Sequence, residues 1–294
     1  MELCACANGR DCLQGRVAIV TGGGSGIGFE IARQLGLHGT SLMLMGRRES
    51  FLQKAVAALE AEGIRAAFTA GDVRSGEDAQ RVLDSTVKLY GHVDTLINAA
   101  AGNFLCPAKQ LSLRAFRTVM EIDTVGTFNM SRTCFEALKS NEKKDSVILS
   151  VSMTLHYGAT WFQAHSSAAK AAIDSLTRTL GLEWGKHGIR VVGVAPGPIA
   201  DTPGMTKLAP GAKAMVEQIM KEAVPLGRMG KTTDIGQAAV FLCSPAASYV
   251  NGTNLVVDGG EWLYRPPLVP EEQVEQMARA IEKKSRSMGP KAAL

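Results

Sequence analysis

The chain has 294 residues, 46% of them apolar and 20% charged, and a net charge of +4. That length suggests about two domains as a first guess, and the composition excludes disorder for the bulk of a chain that buries on the order of three-quarters of its unfolded surface. The charge is too mild to point to nucleic acid, and no apolar run approaches the ~20 residues of a membrane span.

Residues 1–12 read as an N-terminal extension without the apolar core of a signal peptide. The six cysteines have no regular spacing, so they do not form a disulfide framework. Cys4 and Cys6 are expected to be reduced thiols; no cluster has metal-ligand spacing. From there strands and helices are expected to alternate. Residues 16–20 read as a strand, followed by a glycine cluster and a helix over 26–38. Strands over 41–45, 66–69 and 95–97 alternate with helices over 50–62 and 77–90. A long helical stretch over 113–138 is expected to break near 123–126. A strand over 146–150, a helix over 166–184, a strand over 189–194, a helix over 233–243 and a strand over 254–257 complete the pattern. This alternation implies one α/β domain over 13–265, a doubly wound seven-stranded parallel sheet of the Rossmann type with helices on both faces. Residues 266–294 read as a helical tail.

The segment Thr21-Gly22-Gly23-Gly24-Ser25-Gly26-Ile27-Gly28 lies between the first strand and the first helix. Glycines there let a pyrophosphate approach a helix N-terminus, where free N–H groups and the dipole favour negative charge. Gly22, Gly24, Ser25, Gly26 and Ile27 are the candidate contacts. The spacing of Gly22, Gly26 and Gly28 resembles the short-chain dehydrogenase/reductase family, whose pattern is Thr-Gly-x-x-x-Gly-x-Gly. The resemblance spans about residues 13–263. It implies adenine contacts at Asp72 and Val73, and cofactor contacts at Asn98, Ala99 and Ala100. It also implies an active-site lysine at Lys170 that holds the nicotinamide ribose. Pro196, Gly197 and Ile199 fall on the nicotinamide side. The Asp258-Gly259-Gly260 motif falls near a subunit interface, and a homotetramer is expected.

An acidic residue after the second strand would bind the ribose 2′-hydroxyl of NAD. Arg47 and Arg48 stand there instead. Their guanidinium groups suit a 2′-phosphate, which favours NADP (NADPH), with Arg47 the first choice. The alternative is a solvated basic turn.

The family's usual site is Tyr-x-x-x-Lys, but Ser166 stands four residues before Lys170. A serine hydroxyl is a far poorer general acid than a phenol beside a lysine. Asp123 occupies a position where the family usually carries asparagine. Its carboxylate is expected near Lys170, holding a water as proton donor; the alternative is an ion pair that supports the helix break. These departures resemble the 2,4-dienoyl-CoA reductases, most specifically in Ala100-Ala101-Gly102-Asn103-Phe104-Leu105-Cys106-Pro107 and in Asp123-Thr124 with Gly126-Thr127-Phe128-Asn129. The peroxisomal subtype fits better, since the mitochondrial form has a tyrosine where Leu155 stands.

The resemblance implies NADPH-dependent reduction of a 2,4-dienoyl-CoA thioester to a 3-enoyl-CoA in fatty-acid oxidation. Asp123, Lys170 and Asn103 are the expected catalytic residues. Asn103, Phe104 and Ser166 would meet the acyl-CoA substrate, with Asn103 on the thioester oxygen. Two other readings stay open: another acyl-CoA or carbonyl reductase of the same fold, and a non-catalytic NADP-binding scaffold. His156 and Tyr157 are expected as pocket wall, and His165 as a satisfied structural histidine. Ser152 and Thr154 straddle the family's serine position without a unique alignment. The loop over 198–225, with Lys207 and Lys213, is expected to cover the substrate. The final Ala292-Ala293-Leu294 matches a peroxisomal small–basic–Leu signal only in part. The peroxisome and the cytoplasm therefore both stand as locations.

Overall fold

The computed structural model describes residues 11–142, 145–200, 202 and 213–287. Seven strands are β1 (Val17–Thr21), β2 (Ser41–Gly46), β3 (Ala66–Ala70), β4 (Thr95–Asn98), β5 (Ser146–Val151), β6 (Ile189–Pro196) and β7 (Asn254–Val257). They form one parallel sheet in the order β3-β2-β1-β4-β5-β6-β7. The helices are α1 (Gly26–Leu37), α2 (Glu49–Ala61), α3 (Gly76–Tyr90), α4 (Leu113–Met120), α5 (Gly126–Lys139), α6 (Ala164–Trp184), α7 (Lys213–Ala223), α8 (Thr232–Cys243) and α9 (Glu271–Ser287).

Strand side chains alternate between faces, and here both faces are apolar. Ala18, Val20, Leu42 and Leu44 enter one core, with Ile31 and Leu35 of α1, Leu52 of α2 and Ile235 of α8. Ile19, Met43 and Met45 enter the other, with Val82 of α3, Met130 of α5 and Leu180 of α6. Burial on both sides is what a parallel sheet between helical layers requires. Strand order reverses between β1 and β4, which opens a crevice at the carboxyl ends of the strands.

Two boundaries differ from the sequence reading in a way that matters. β1 runs one residue later than expected, because Thr21 still pairs with Met45 and Asn98. Its hydroxyl is thereby fixed at the strand end. The long helix over 113–138 is three pieces: α4, a π-helical turn at Glu121–Val125, and α5. π turns inside α-helices occur frequently at functional sites.

Chain contacts divide the molecule into Met1–Trp262 and Leu263–Leu294. Within the second unit, α9 carries Val274, Met277 and Ile281 exposed at helical spacing. The C-terminal tripeptide, Lys207 and the cysteines at 4 and 6 lie outside the described residues.

The turn after β1 depends on two glycines. Gly22 has φ +67°, and a Cβ there would stand 2.7 Å from the Ala99 carbonyl oxygen. A Cβ on Gly28 would stand 2.6 Å from the Gly22 carbonyl oxygen. Both clashes are with backbone, which cannot swing aside. Gly28→Ala is expected to cost about 1–3 kcal/mol through overpacking. A thermal melt followed by circular dichroism should show the midpoint falling by several degrees.

Candidate functional site

The π turn aims Asp123 into the protein, where its side chain is fully buried. Its Oδ1 accepts a 2.7 Å hydrogen bond from the Gly102 N–H, in the loop after β4. Its Oδ2 stands 3.2 Å from Nζ of Lys170 on α6. That approach is an ion pair without aligned hydrogen-bond geometry, so Oδ2 keeps a lone pair unused. Lys170, also buried, donates to the Val151 carbonyl at the end of β5 at 2.9 Å. Thr124 adds a hydroxyl bond to the Ala169 carbonyl at 3.3 Å. Two strand ends, one π turn and one helix therefore converge on a single pair of buried charges. The structure brings together Asp123 and Lys170 as the sequence reading expected.

The loop after β4 closes one side. The Asn103 amide donates to Gln163 Oε1 at 2.6 Å, and its oxygen accepts from the Phe104 N–H at 2.9 Å. One amide N–H of Asn103 remains for another partner. The Phe104 ring stacks on His165 with centroids 4.1 Å apart and planes at 22°. The Cys106 N–H donates to the Phe162 carbonyl at 2.8 Å. Phe162 has φ 61°, a conformation that costs a non-glycine residue energy and that surrounding contacts must hold. Ser166 is buried, and the nearest partner of its hydroxyl is the Met153 sulfur at 3.9 Å. It contacts neither charge of the ion pair through a hydrogen bond.

His165 differs from the expected satisfied histidine. It is fully buried, and neither ring nitrogen has a partner in hydrogen-bond geometry. Burial holds it below the ordinary imidazole value, against the opposing pull of the Asp123 charge and of hydrogen bonding with the Phe104 backbone. It is therefore a neutral imidazole with a ring nitrogen left for a further partner.

The loop after β5 gives both candidate hydroxyls partners. The Ser152 hydroxyl donates to Asp174 Oδ1, and His156 Nε2 bonds Asp174 Oδ2 at 2.7 Å. The Thr154 hydroxyl donates to the Pro196 carbonyl at 3.3 Å. Both hydroxyls are committed to structural partners. Burial pushes the Tyr157 phenol up to about 12, reinforced by the Asp174 charge. A phenol so shifted is a poor proton donor near neutral pH. Asp174 was not singled out from the sequence. Its signal is its spacing, one helical turn beyond Lys170 on the same face of α6.

Most of the expected cofactor residues lie at or just beyond the carboxyl ends of the strands. The Thr21 hydroxyl accepts from the Ala99 and Ala100 N–H groups at 3.1 and 3.2 Å and donates to the Ile97 carbonyl at 3.3 Å. Ser25 precedes α1 without a side-chain cap bond, and the first turn carries no acidic residue. Gly24 and Ile27 pack toward α2 and the first core. Arg47 and Arg48 are exposed after β2, with the Arg48 guanidinium 3.8 Å above the Phe51 ring. Hydrogen bonds from Arg74 hold Asp72 below the usual carboxylate range, with Arg47 contributing. Asp72 thus already has a side-chain partner. Val73 is buried beside Gly126, where a Cβ would stand 2.5 Å from its Cγ2. Asn98 donates to the Ser131 hydroxyl at 3.1 Å. The Gly197 N–H donates to the Val257 carbonyl at 3.2 Å, and Ile199 is buried beyond it. Among the described residues, no group of three or more His, Cys, Asp or Glu stands close enough to hold a metal ion. Among the same residues, no helix is long and apolar enough to cross a membrane.

Two outcomes follow from this geometry. Asp123→Ala strands the Lys170 charge in the interior, so denaturant unfolding should show a loss of about 3–5 kcal/mol. Asp123→Asn keeps the acceptor for the Gly102 N–H and should lose less. Tyr157→Phe should leave turnover within about threefold of the parent in a steady-state assay, since a phenol this weakly acidic supplies no proton.

Comparison with known proteins agrees with this arrangement. A family model described as enoyl-(acyl carrier protein) reductase matches residues 22–261. The Arabidopsis thaliana peroxisomal 2,4-dienoyl-CoA reductase [(3E)-enoyl-CoA-producing] is 50% identical over 284 residues, covering 94% of each chain. The solved structure of a Bacillus anthracis short chain dehydrogenase superposes with a TM-score of 0.79 at 35% identity, covering 87% of this chain and all of that one. An actinorhodin polyketide ketoreductase solved with NADPH gives a TM-score of 0.79 at 28% identity, covering 85% of this chain and 98% of that one. The doubly wound sheet, the glycine turn and the matched length together make this chain a member of the short-chain dehydrogenase/reductase family.

Proposed function

We propose that the chain reduces 2,4-dienoyl-CoA to 3-enoyl-CoA with NADPH, in the oxidation of unsaturated fatty acids. The observation that carries this reading is the buried Asp123–Lys170 pair in a site with serine, not tyrosine, four residues before the lysine. A ketone reductase needs a general acid placed beside the carbonyl oxygen. A conjugated thioester needs its developing oxyanion stabilised and a proton delivered at carbon. The Arabidopsis relative's printed activity supports the same choice.

The crevice fits a phosphorylated nicotinamide dinucleotide. Gly22 and Gly28 leave no room for a Cβ, and the N-terminus of α1 has no acidic side chain in its first turn. Arg47 is exposed where a 2′-phosphate would lie, with Arg48 beside it. When bound, the nicotinamide supplies the hydride. Lys170 keeps the site positive and orients toward the ribose. Asp123 holds Lys170 in place and supplies an acceptor for a proton-carrying water. The remaining Asn103 N–H is the donor for the thioester oxygen, and Phe104 walls the acyl group. The peroxisome is the proposed location, supported by the printed name of the plant relative. A homotetramer is the proposed assembly, on the family resemblance.

The test is NADPH oxidation with hexa-2,4-dienoyl-CoA, run beside a 3-ketoacyl-CoA and a 2-enoyl-CoA. Turnover with the dienoyl thioester is expected to exceed both by at least tenfold. Tight NADPH binding without turnover on any of the three would leave the scaffold reading in its place. Arg47→Ala should raise the KM for NADPH about tenfold while leaving that for NADH nearly unchanged, since one charge-assisted phosphate contact is worth about 1.5 kcal/mol.

A further inference from the structure

Buried polar atoms in folded proteins almost always have partners, and those without one mark strain, function or an internal water. Three atoms of this one site lack an aligned hydrogen bond: Asp123 Oδ2, which faces Lys170 only as an ion pair, and the two ring nitrogens of His165, one of which meets the Phe104 backbone. Both side chains are fully buried. The two groups feel one another, since the Asp123 charge acts on the imidazole. They are also joined through the short loop after β4. Gly102 donates to Asp123, and two residues later the Phe104 ring stacks on His165. An apolar aromatic at position 165 would make the same stack without burying unpartnered nitrogens. Packing alone therefore does not account for a histidine there.

We propose that His165 is a positioning residue for proton delivery. With the unused lone pair of Asp123 Oδ2, its neutral imidazole holds one internal water beside the Asp123–Lys170 pair. The water donates one hydrogen to Oδ2, and a ring nitrogen fixes its orientation. Proton delivery is then balanced as follows. One O–H bond of the water breaks as the new C–H bond forms at the thioester's α carbon. The hydroxide left behind takes a proton from the Lys170 ammonium, which regains one from solvent. The imidazole itself neither gains nor loses a proton. This inference rests on the dienoyl reductase reading, and it adds a residue to which that reading gave no role.

His165→Phe keeps a ring against Phe104 and removes both nitrogens. The expected result is a thermal midpoint equal to or above the parent's, with NADPH affinity by fluorescence titration unchanged. The KM for hexa-2,4-dienoyl-CoA should stay within threefold, while kcat falls at least tenfold and the solvent deuterium isotope effect rises. His165→Gln and His165→Asn each restore one polar atom, and at least one should recover part of kcat. A His165→Phe variant with parental kcat and isotope effect would overturn the proposal. So would a lowered thermal midpoint with kcat unrecovered in both amide variants, because His165 would then be a packing element. If the parent protein does not turn over the dienoyl thioester, the functional reading fails on its own. The stability arm still separates an unpartnered histidine from a structural one.

Discussion

The site hangs on one buried ion pair. Asp123 and Lys170 lie in the interior, where an unpaired charge would cost several kcal/mol. Each is therefore tied to backbone as well as to the other. The carboxylate takes the Gly102 N–H, and the ammonium gives a hydrogen to the Val151 carbonyl. These ties reach the ends of β4 and β5, neighbours in the sheet. Asp123 reaches Lys170 from within a π turn at Glu121–Val125. Its extra residue in the turn re-aims a single side chain while α4 and α5 remain continuous on either side.

In the proposed function the same pair decides what chemistry the site performs. A general acid near neutral pH needs a pKa near the working range. Tyr157 is displaced far above it, and the Ser152 and Thr154 hydroxyls are spent on Asp174 and Pro196. What remains is a positive charge, a carboxylate with a lone pair to offer, and an amide loop. In the proposed reaction that set stabilises an enolate and orders a water. It does not make a strong acid beside a ketone.

Much of this was legible in the sequence, for definite reasons. Alternating apolar runs gave the sheet, because its central strands are buried on both faces and little else satisfies that pattern. The helical stretch over 113–138 was legible, but a π turn at Glu121–Val125 joins α4 to α5 where a break was expected near 123–126. Asp123 and Lys170 were both identified, because each departs from or matches a motif at fixed spacing. The loop after β5 was not legible. Whether Ser152 or Thr154 enters the site depends on Asp174, which lies 22 residues beyond Ser152 and reaches it only through the fold. His165 failed for a related reason. The sequence identifies the residue, but the number of its hydrogen bonds is a property of what packs around it.

The bond from the Gly102 N–H to Asp123 also bears on how such a site changes over generations. It is a backbone donor meeting the near oxygen of the side chain. Asparagine offers an oxygen at the same place, and asparagine is the family's usual residue there. A single substitution can thus exchange carboxylate for amide while the loop after β4 keeps its anchor. The loop keeps its anchor through the exchange, while Lys170 loses its ion-pair partner. Lineages built on one backbone can in this way part company in proton chemistry without first passing through an unfolded intermediate.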